Sequence, residues 1–269
     1  MTDLVDKVWQ QVREQARHLV EHEPMLASFY HATILKHESL AHALSYILAK
    51  KLALNSILDA IALREIIQEA FEAQPEIIQQ VAQDMLAVVE RDPAVDKLTT
   101  PLLYLKGFHA LQAYRITHYL WQGERKDLAI FLQNEISLSL GVDIHPAAKI
   151  GAGIMLDHAT GIVIGETTCI DDNVSILQGV TLGGTGKESG DRHPKIGKGV
   201  MIGAGAKILG NIHIGENAKI GANSVVLKSV PAGCTAAGVP AKVISQSTSS
   251  CPAREMDQNF ISIWDALNI

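Results

Sequence analysis

In the C-terminal half, two short stretches set a charged side chain beside a histidine. They are Asp157-His158 in GIMLDHATGIVIGET, residues 153–167, and Arg192-His193 in GGTGKESGDRHPK, residues 183–195. A neutral imidazole accepts a proton near pH 7. A carboxylate that holds its tautomer and stabilises the imidazolium makes it a base able to activate a hydroxyl. Asp157 adjoins His158, but neighbours on a strand point to opposite faces. Asp143 lies fifteen residues back, close to one coil of the repeat described below, and is the better orienting partner. Two readings of His158 stand level on these grounds: a general base, and a structural histidine bonding a corner carbonyl.

Other chemistries fit less well. His145, His158, His193 and His213 show no local pair of the H-x-x-x-H kind, so no metal site is expected. GGTGK resembles a phosphate loop but fails the test. Thr181 stands where the first glycine belongs, and Glu188 where Ser or Thr belongs. It reads as a flexible loop carried off a rigid frame.

The frame has two periods. From Leu4 to about Leu140 apolar residues recur at helical spacing, as at Leu4, Val8 and Val12 or Leu40, Leu44 and Leu48. Prolines punctuate this half, and Pro75-Glu76 is a good helix opening. Six to eight packed helices are expected. From Val142 onward an aliphatic residue returns every sixth position: Ile144, Ile150 and Leu156, then Ile164, Ile170, Ile176 and Leu182, then Ile196, Ile202, Ile208, Ile214, Ile220 and Val226. That period fits a triangular solenoid of roughly four to five turns, with the aliphatic residues stacked in the bore. Glycine often follows the aliphatic residue, as at Gly151, Gly165, Gly197, Gly203, Gly215 and Gly221, where a Cβ at the corner would be strained. The rhythm breaks twice: it slips by two residues after Leu156, and an insertion follows Leu182. Those breaks hold the two charged-histidine pairs.

The far end of the solenoid is expected to close at VPAGCTAAGVPAKVI, where Pro231 and Pro240 stop the ladder. SQSTSSCPAREM then reads as mobile. The final FISIWDALNI has two readings: an element tucked back on its own subunit, or a ligand for another protein. The expected domains are 1–140, helical and oligomerising; 141–244, the solenoid and catalytic; and 245–269, a flexible C-terminal tail. The class is α+β.

The 269 residues are 47% hydrophobic but only 5% aromatic, with 21 glycines, which favours repetition over a core of interlocking large side chains. The net charge of −6, with no basic patch, argues against a nucleic-acid partner. Three scattered cysteines, Cys169, Cys234 and Cys251, read as reduced thiols. No apolar run reaches signal or membrane length. A cytoplasmic protein is expected.

The segments PLLYLKGFHALQAYRITHYLW, GVDIHPAAKIGAGIMLDHATGIVIGET, VTLGGTGKESGDRHPKIGKGVMIGAGAKILGNI and AKIGANSVVL resemble the bacterial serine O-acetyltransferases. The combination of DHATG, VTLGGTGK and GDRHPKI is specific; hexapeptide repeats alone are not. The resemblance covers nearly the whole chain. It implies a left-handed parallel β-helix behind the helices, and trimers paired into hexamers. It also implies transfer of acetyl from acetyl-CoA to the hydroxyl of L-serine, the first step of cysteine biosynthesis, with feedback inhibition by L-cysteine.

Carried onto this sequence, His158 is the base and Asp143 its partner. Asp92 and Asp157 resemble the carboxylates that hold the serine ammonium. Arg192 resembles the clamp on its carboxylate, and His193 the second substrate histidine. Read without the resemblance, Asp92 is a helix-ending Asp-Pro turn. In a trimer, one subunit's Asp157-His158 would face a neighbour's Arg192-His193. Acetyl-CoA would lie along the solenoid near Gly184, Ala204 and Ala222. Lys219 and Lys242 are candidates for its phosphates, against an equal reading as solvated lysines. CoA is a substrate here, and no cofactor or metal is implied. The terminal Ile269 resembles the family's docking residue for O-acetylserine sulfhydrylase.

Two rivals remain. Another hexapeptide acyltransferase acting on a sugar or acyl-amine is disfavoured by the lack of a sugar-binding aromatic set. A non-catalytic scaffold that only docks the sulfhydrylase is disfavoured by intact Asp143 and His158.

Overall fold

A computed structural model of the chain describes residues 2–54, 57–186, 189–246 and 251–256. The chain divides into two compact units, Met1–Leu140 and Gly141–Ile269.

The first unit is helical, as its period predicts. Its α-helices are α1 (Thr2–His22), α2 (Ala27–Tyr30), α3 (Leu40–Leu52), α4 (Ala60–Ala73), α5 (Glu76–Arg91), α6 (Thr99–Leu103), α7 (Lys106–Gln122) and α8 (Lys126–Leu140). Local chemistry sets the starts. The Ser39 hydroxyl accepts from the His42 N–H at the head of α3, and the Asp59 carboxylate accepts from Ile61 and Ala62 at the head of α4. Leu44, Leu48, Leu63, Val81, Met85, Leu111 and Ile116 are buried between the helices. A buried ion pair crosses this interior: the Arg115 guanidinium donates to the Asp84 carboxylate at 2.7 Å.

The second unit is a parallel β-solenoid with three faces. The strands are β1 (Val142–Ile144), β2 (Lys149–Ile150), β3 (Met155–Asp157), β4 (Ile162–Ile164), β5 (Cys169–Ile170), β6 (Ser175–Leu177), β7 (Thr181–Gly183), β8 (Lys195–Ile196), β9 (Met201–Ile202), β10 (Lys207–Leu209), β11 (His213–Ile214), β12 (Lys219–Ile220), β13 (Val225–Val226), β14 (Cys234–Gly238) and β15 (Ala241–Gln246). The first face stacks β1, β4, β7, β10 and β13. The second stacks β2, β5, β8 and β11. The third runs β3, β6, β9, β12, β14, β15. Five strands on the first face mean five coils.

Register gives the length of each coil. Val142 pairs with Ile162, twenty residues on, and Val163 with Thr181, eighteen on. Thr181 pairs with Lys207, 26 on, and Lys207 with Val225, eighteen on. Eighteen is three hexapeptides, so two coils are regular. The slip adds two residues to one coil and the insertion adds eight to another. Both additions sit at corners. The bore residues Ile144, Ile164, Leu182, Ile208 and Val226 stay buried and stacked throughout.

Three expectations need correcting. Glycine after the aliphatic residue does not relieve backbone strain. At Gly203 the constraint is close approach, since a Cβ there would come within 2.6 Å of the Ala222 amide nitrogen on the next coil. The left-handed corner position falls two residues later, at Gly205 (φ +72°), and is filled by Asn223 (φ +55°) one coil on.

The prolines do not stop the ladder. β14 pairs parallel with β12 after Pro231, and turns through Val239-Pro240 into antiparallel β15. A hairpin therefore ends the solenoid, with Pro240 in its turn, where no ladder donor is needed.

The described residues that follow the Ser/Thr-rich run, 251–256, are ordered. Pro252–Glu255 form a helical turn, α9. The Ser175 hydroxyl donates to the Ala253 carbonyl at 2.8 Å, and the Ala253 N–H donates to the Gly199 carbonyl at 3.2 Å. Ala253 is fully buried against the third face. Ile269 and FISIWDALNI lie outside the described residues.

Candidate active site

The two-residue slip becomes a left-handed excursion. β3 ends at Asp157, and His158 and Ala159 then take φ of +53° and +61°. Consecutive non-glycine residues in this region are uncommon and cost free energy, and such strain gathers at functional sites. The excursion turns the His158 ring out of the wall, leaving its side chain 76% exposed. His158 Nε2 lies 3.9 Å from Asp157 Oδ1. The strand alternation that would send Asp157 the other way does not operate, because His158 has already left the strand. Asp143 lies on β1, paired with Val163 on the adjoining coil.

Arg192 and His193 occupy a different corner. His158 follows the third face and precedes the first. Arg192-His193, with Glu166-Thr167 and His145 on neighbouring coils, lies between the first face and the second. A three-residue strand at about 3.3 Å per residue separates the two corners, so they stand roughly 10 Å apart or more.

Thr167 organises the second corner. Its hydroxyl oxygen accepts from the Arg192 N–H at 3.0 Å and the His193 N–H at 3.1 Å. It also lies 2.9 Å from His193 Nδ1, which accepts from the Thr167 N–H at 3.2 Å. Nδ1 is thus an acceptor, and the neutral ring carries its hydrogen on Nε2. His193 packs on Gly165, where a Cβ would sit 2.1 Å from the ring. Burial pushes the His193 pKa down, and Arg192 pushes it further, while Glu166 opposes. His145 behaves alike: burial lowers its pKa, and Glu166 and Asp143 oppose. Both rings are therefore neutral donors at neutral pH.

The Arg192 guanidinium donates to Glu166 Oε2 at 2.6 Å and to the Gly190 carbonyl at 3.0 Å. That bond holds the Glu166 carboxyl below the usual carboxylate range. Composition and spacing did not disclose Glu166 or Thr167. The available signal was their place at the first corner after the slipped coil, one coil before the insertion.

Asp92 is the C-cap of α5, and its carboxylate accepts from the Ala94 N–H at 2.9 Å. The Asp-Pro turn expected from sequence is therefore formed. Among the CoA candidates, Gly184 lies under Arg192, whose Cγ and carbonyl would be 3.4 Å from an added Cβ. Ala204 and Ala222 are at least partly exposed at successive corners after the third face, and Lys242 is exposed on β15. Lys219 is only 7% exposed, so it is no ordinary solvated lysine. Among the described residues, no group of three or more His, Cys, Asp or Glu is placed to hold a metal. No helix among them is long and apolar enough to cross a membrane.

Comparison with known proteins bears on this arrangement. Residues 8–113 match the family model for the N-terminal region of serine acetyltransferase, and residues 193–228 match the bacterial transferase hexapeptide model. The serine acetyltransferase of Haemophilus influenzae is 66% identical over 262 residues, which span 97% of this chain and 98% of that protein. A solved serine acetyltransferase in complex with cysteine is 67% identical, with a TM-score of 0.93 over 95% of this chain and 99% of that one. Another, in complex with CoA, is 66% identical, with a TM-score of 0.86 over 89% of this chain and 100% of that one.

Proposed function

The chain belongs to the serine acetyltransferase family, and on that premise we propose how its residues carry the reaction. The enzyme transfers acetyl from acetyl-CoA to the hydroxyl of L-serine, giving O-acetylserine and CoA. His158 is the general base. It takes the proton from the serine hydroxyl as that oxygen attacks the thioester carbonyl. The imidazolium then returns the proton to the departing CoA thiolate, so protons balance across the step. CoA enters as the acyl donor and leaves as a product.

The observation that carries this reading is the strained, outward His158 ring with the Asp157 carboxylate 3.9 Å from its Nε2. The ammonium nitrogen and hydroxyl oxygen of serine are ~3 Å apart in a compact rotamer. A serine whose ammonium rests on Asp157 can therefore present its hydroxyl to His158 Nε2. Asp143, on β1 of the same coil, serves Nδ1. Arg192 and His193 take the serine carboxylate, with Asp92 as a second ammonium partner by family likeness. Gly184, Ala204, Ala222, Lys219 and Lys242 are assigned to the CoA path on the same footing.

The two corners lie at opposite edges of one face, so a single chain does not close them on one serine. A second copy supplies the missing edge, which favours a trimer, paired into a hexamer. Cysteine differs from serine only at the γ atom, so the same groups grip it, and it inhibits in competition with serine. The tail after Ile244, ending at Ile269, is the docking segment for O-acetylserine sulfhydrylase. None of the three cysteines forms a disulfide, in keeping with a cytoplasmic enzyme.

Thiol release from acetyl-CoA with serine tests the base. His158→Ala should lower kcat about a hundredfold or more. Near-normal turnover would remove His158 from the chemistry. Removing Ile269 should abolish sulfhydrylase binding and leave acetyl transfer intact; retained binding would send the docking role elsewhere.

A further inference from the structure

The helical unit carries a cationic cavity that acetyl transfer does not use. It lies between α3 and α4, has a volume of about 510 Å³, and is lined by Tyr46, Lys50, Arg64, Ile61, Glu65 and Gln68, among others. That volume falls in the range of small-ligand sites. Lys36 and Lys50 lie over the Tyr46 ring, 4.5 and 5.6 Å from its centre. No carboxylate among the described residues lies within 4.0 Å of Lys36, Lys50 or Arg64. Arg64 Nε is buried and lacks a hydrogen-bond partner.

Two cations lining the cavity, Lys50 and Arg64, with Lys36 over the same tyrosine ring and no carboxylate within 4.0 Å of any of them among the described residues, are unexpected in a chain of net charge −6. Surface lysines normally stand apart in water, and a buried guanidinium nitrogen is normally bonded. Among the described residues, the attractive partner of the two ammonium groups is one tyrosine ring, worth less than a charge-assisted hydrogen bond. Glu65 lines the cavity but pairs with none of the three, and Glu69 is held by Arg125 at 2.9 Å. The positive field is felt nearby. His37, whose ring centre is 5.2 Å from that of Tyr46, has its pKa lowered by burial first, and then by Arg64, Lys36 and His42, against the Ala32 carbonyl.

We propose that this cavity is a binding site for a multivalent oxyanion of the phosphate class. Arg64 would bond it through its fork, and Lys50 and Lys36 would balance its charge. Three cations exceed what one carboxylate neutralises, which favours a di- or polyphosphate group. The source is free pyrophosphate or polyphosphate, and the phosphates of CoA are the rival that the experiment excludes.

Pyrophosphate is titrated calorimetrically into the full chain at low ionic strength, with and without saturating CoA. Binding at a Kd of about 1 mM or tighter is expected, and it should persist when CoA is present. Lys50→Glu, at an exposed position, and Arg64→Gln should each weaken it about tenfold or more, with thermal melting and acetyl transfer retained. Three results would each overturn the proposal: no binding to the native chain, binding erased by CoA, or binding unchanged in both variants. The second would assign the pyrophosphate to the CoA path.

Discussion

His109 gives the helical unit an acid limit of calculable size. Its side chain is fully buried in α7, and its Nε2 lies 2.8 Å from the Leu102 carbonyl. A carbonyl only accepts, so Nε2 carries the hydrogen, and Nδ1 is left buried without a partner. Burial, and secondarily the Lys51 charge, push the pKa from 6.5 down to about 4, against the Leu102 bond. The folded pKa lies below the unfolded one, so between these values the unfolded chain binds more protons. Stability is fully present above about pH 6.5 and is lost as pH falls toward 4. At ~1.36 kcal/mol per pH unit, the full loss is about 3 kcal/mol, a large part of a domain's stability. Urea unfolding of the native chain and of His109→Gln, at one protein concentration from about pH 7.5 to 4.5, reads this directly. The glutamine keeps a donor for Leu102 and does not titrate. The native chain should be the more stable at high pH, and its advantage should shrink by about 2–3 kcal/mol across the range. Parallel curves for the two proteins would refute the reasoning.

Two further perturbations follow from contacts in the two units. Gly165→Ala places a Cβ 2.1 Å from the His193 ring. The ring must leave its bed, and kcat/KM for serine should fall about a hundredfold with the fold retained; a value near that of the native enzyme would mean His193 does not touch substrate. Arg115→Met leaves the Asp84 carboxylate buried without its cation. It should cost about 3–5 kcal/mol in urea unfolding, largely recovered by adding Asp84→Leu, and no recovery would mean the loss was one of packing.

The solenoid was legible because its period is set by geometry that every coil repeats. Ile144, Ile164, Leu182, Ile208 and Val226 each had to be aliphatic to fill the same bore. The two breaks were legible for the same reason, as departures from a fixed count. The corner chemistry was harder to read. Thr167 meets Arg192 and His193 across a lengthened coil, and no regular spacing announces such a contact. The nearness of Asp157 to His158 was not legible, because alternation was assumed beyond the end of β3 and a left-handed residue breaks that rule. The docked turn at Pro252–Glu255 was hidden by composition. A Ser/Thr-rich flank reads as mobile, whereas two hydrogen bonds and one buried alanine hold this turn to the third face.

The coil lengths of twenty, eighteen, 26 and eighteen residues have a consequence for how such a protein can change. All surplus length leaves the prism at its edges, and the column of aliphatic side chains does not register its presence. Reactive equipment can therefore be lengthened, exchanged or removed at a corner without renegotiating the interior. A scaffold of this kind separates what keeps it folded from what makes it selective, so new acceptor specificity is within reach of a few edge residues.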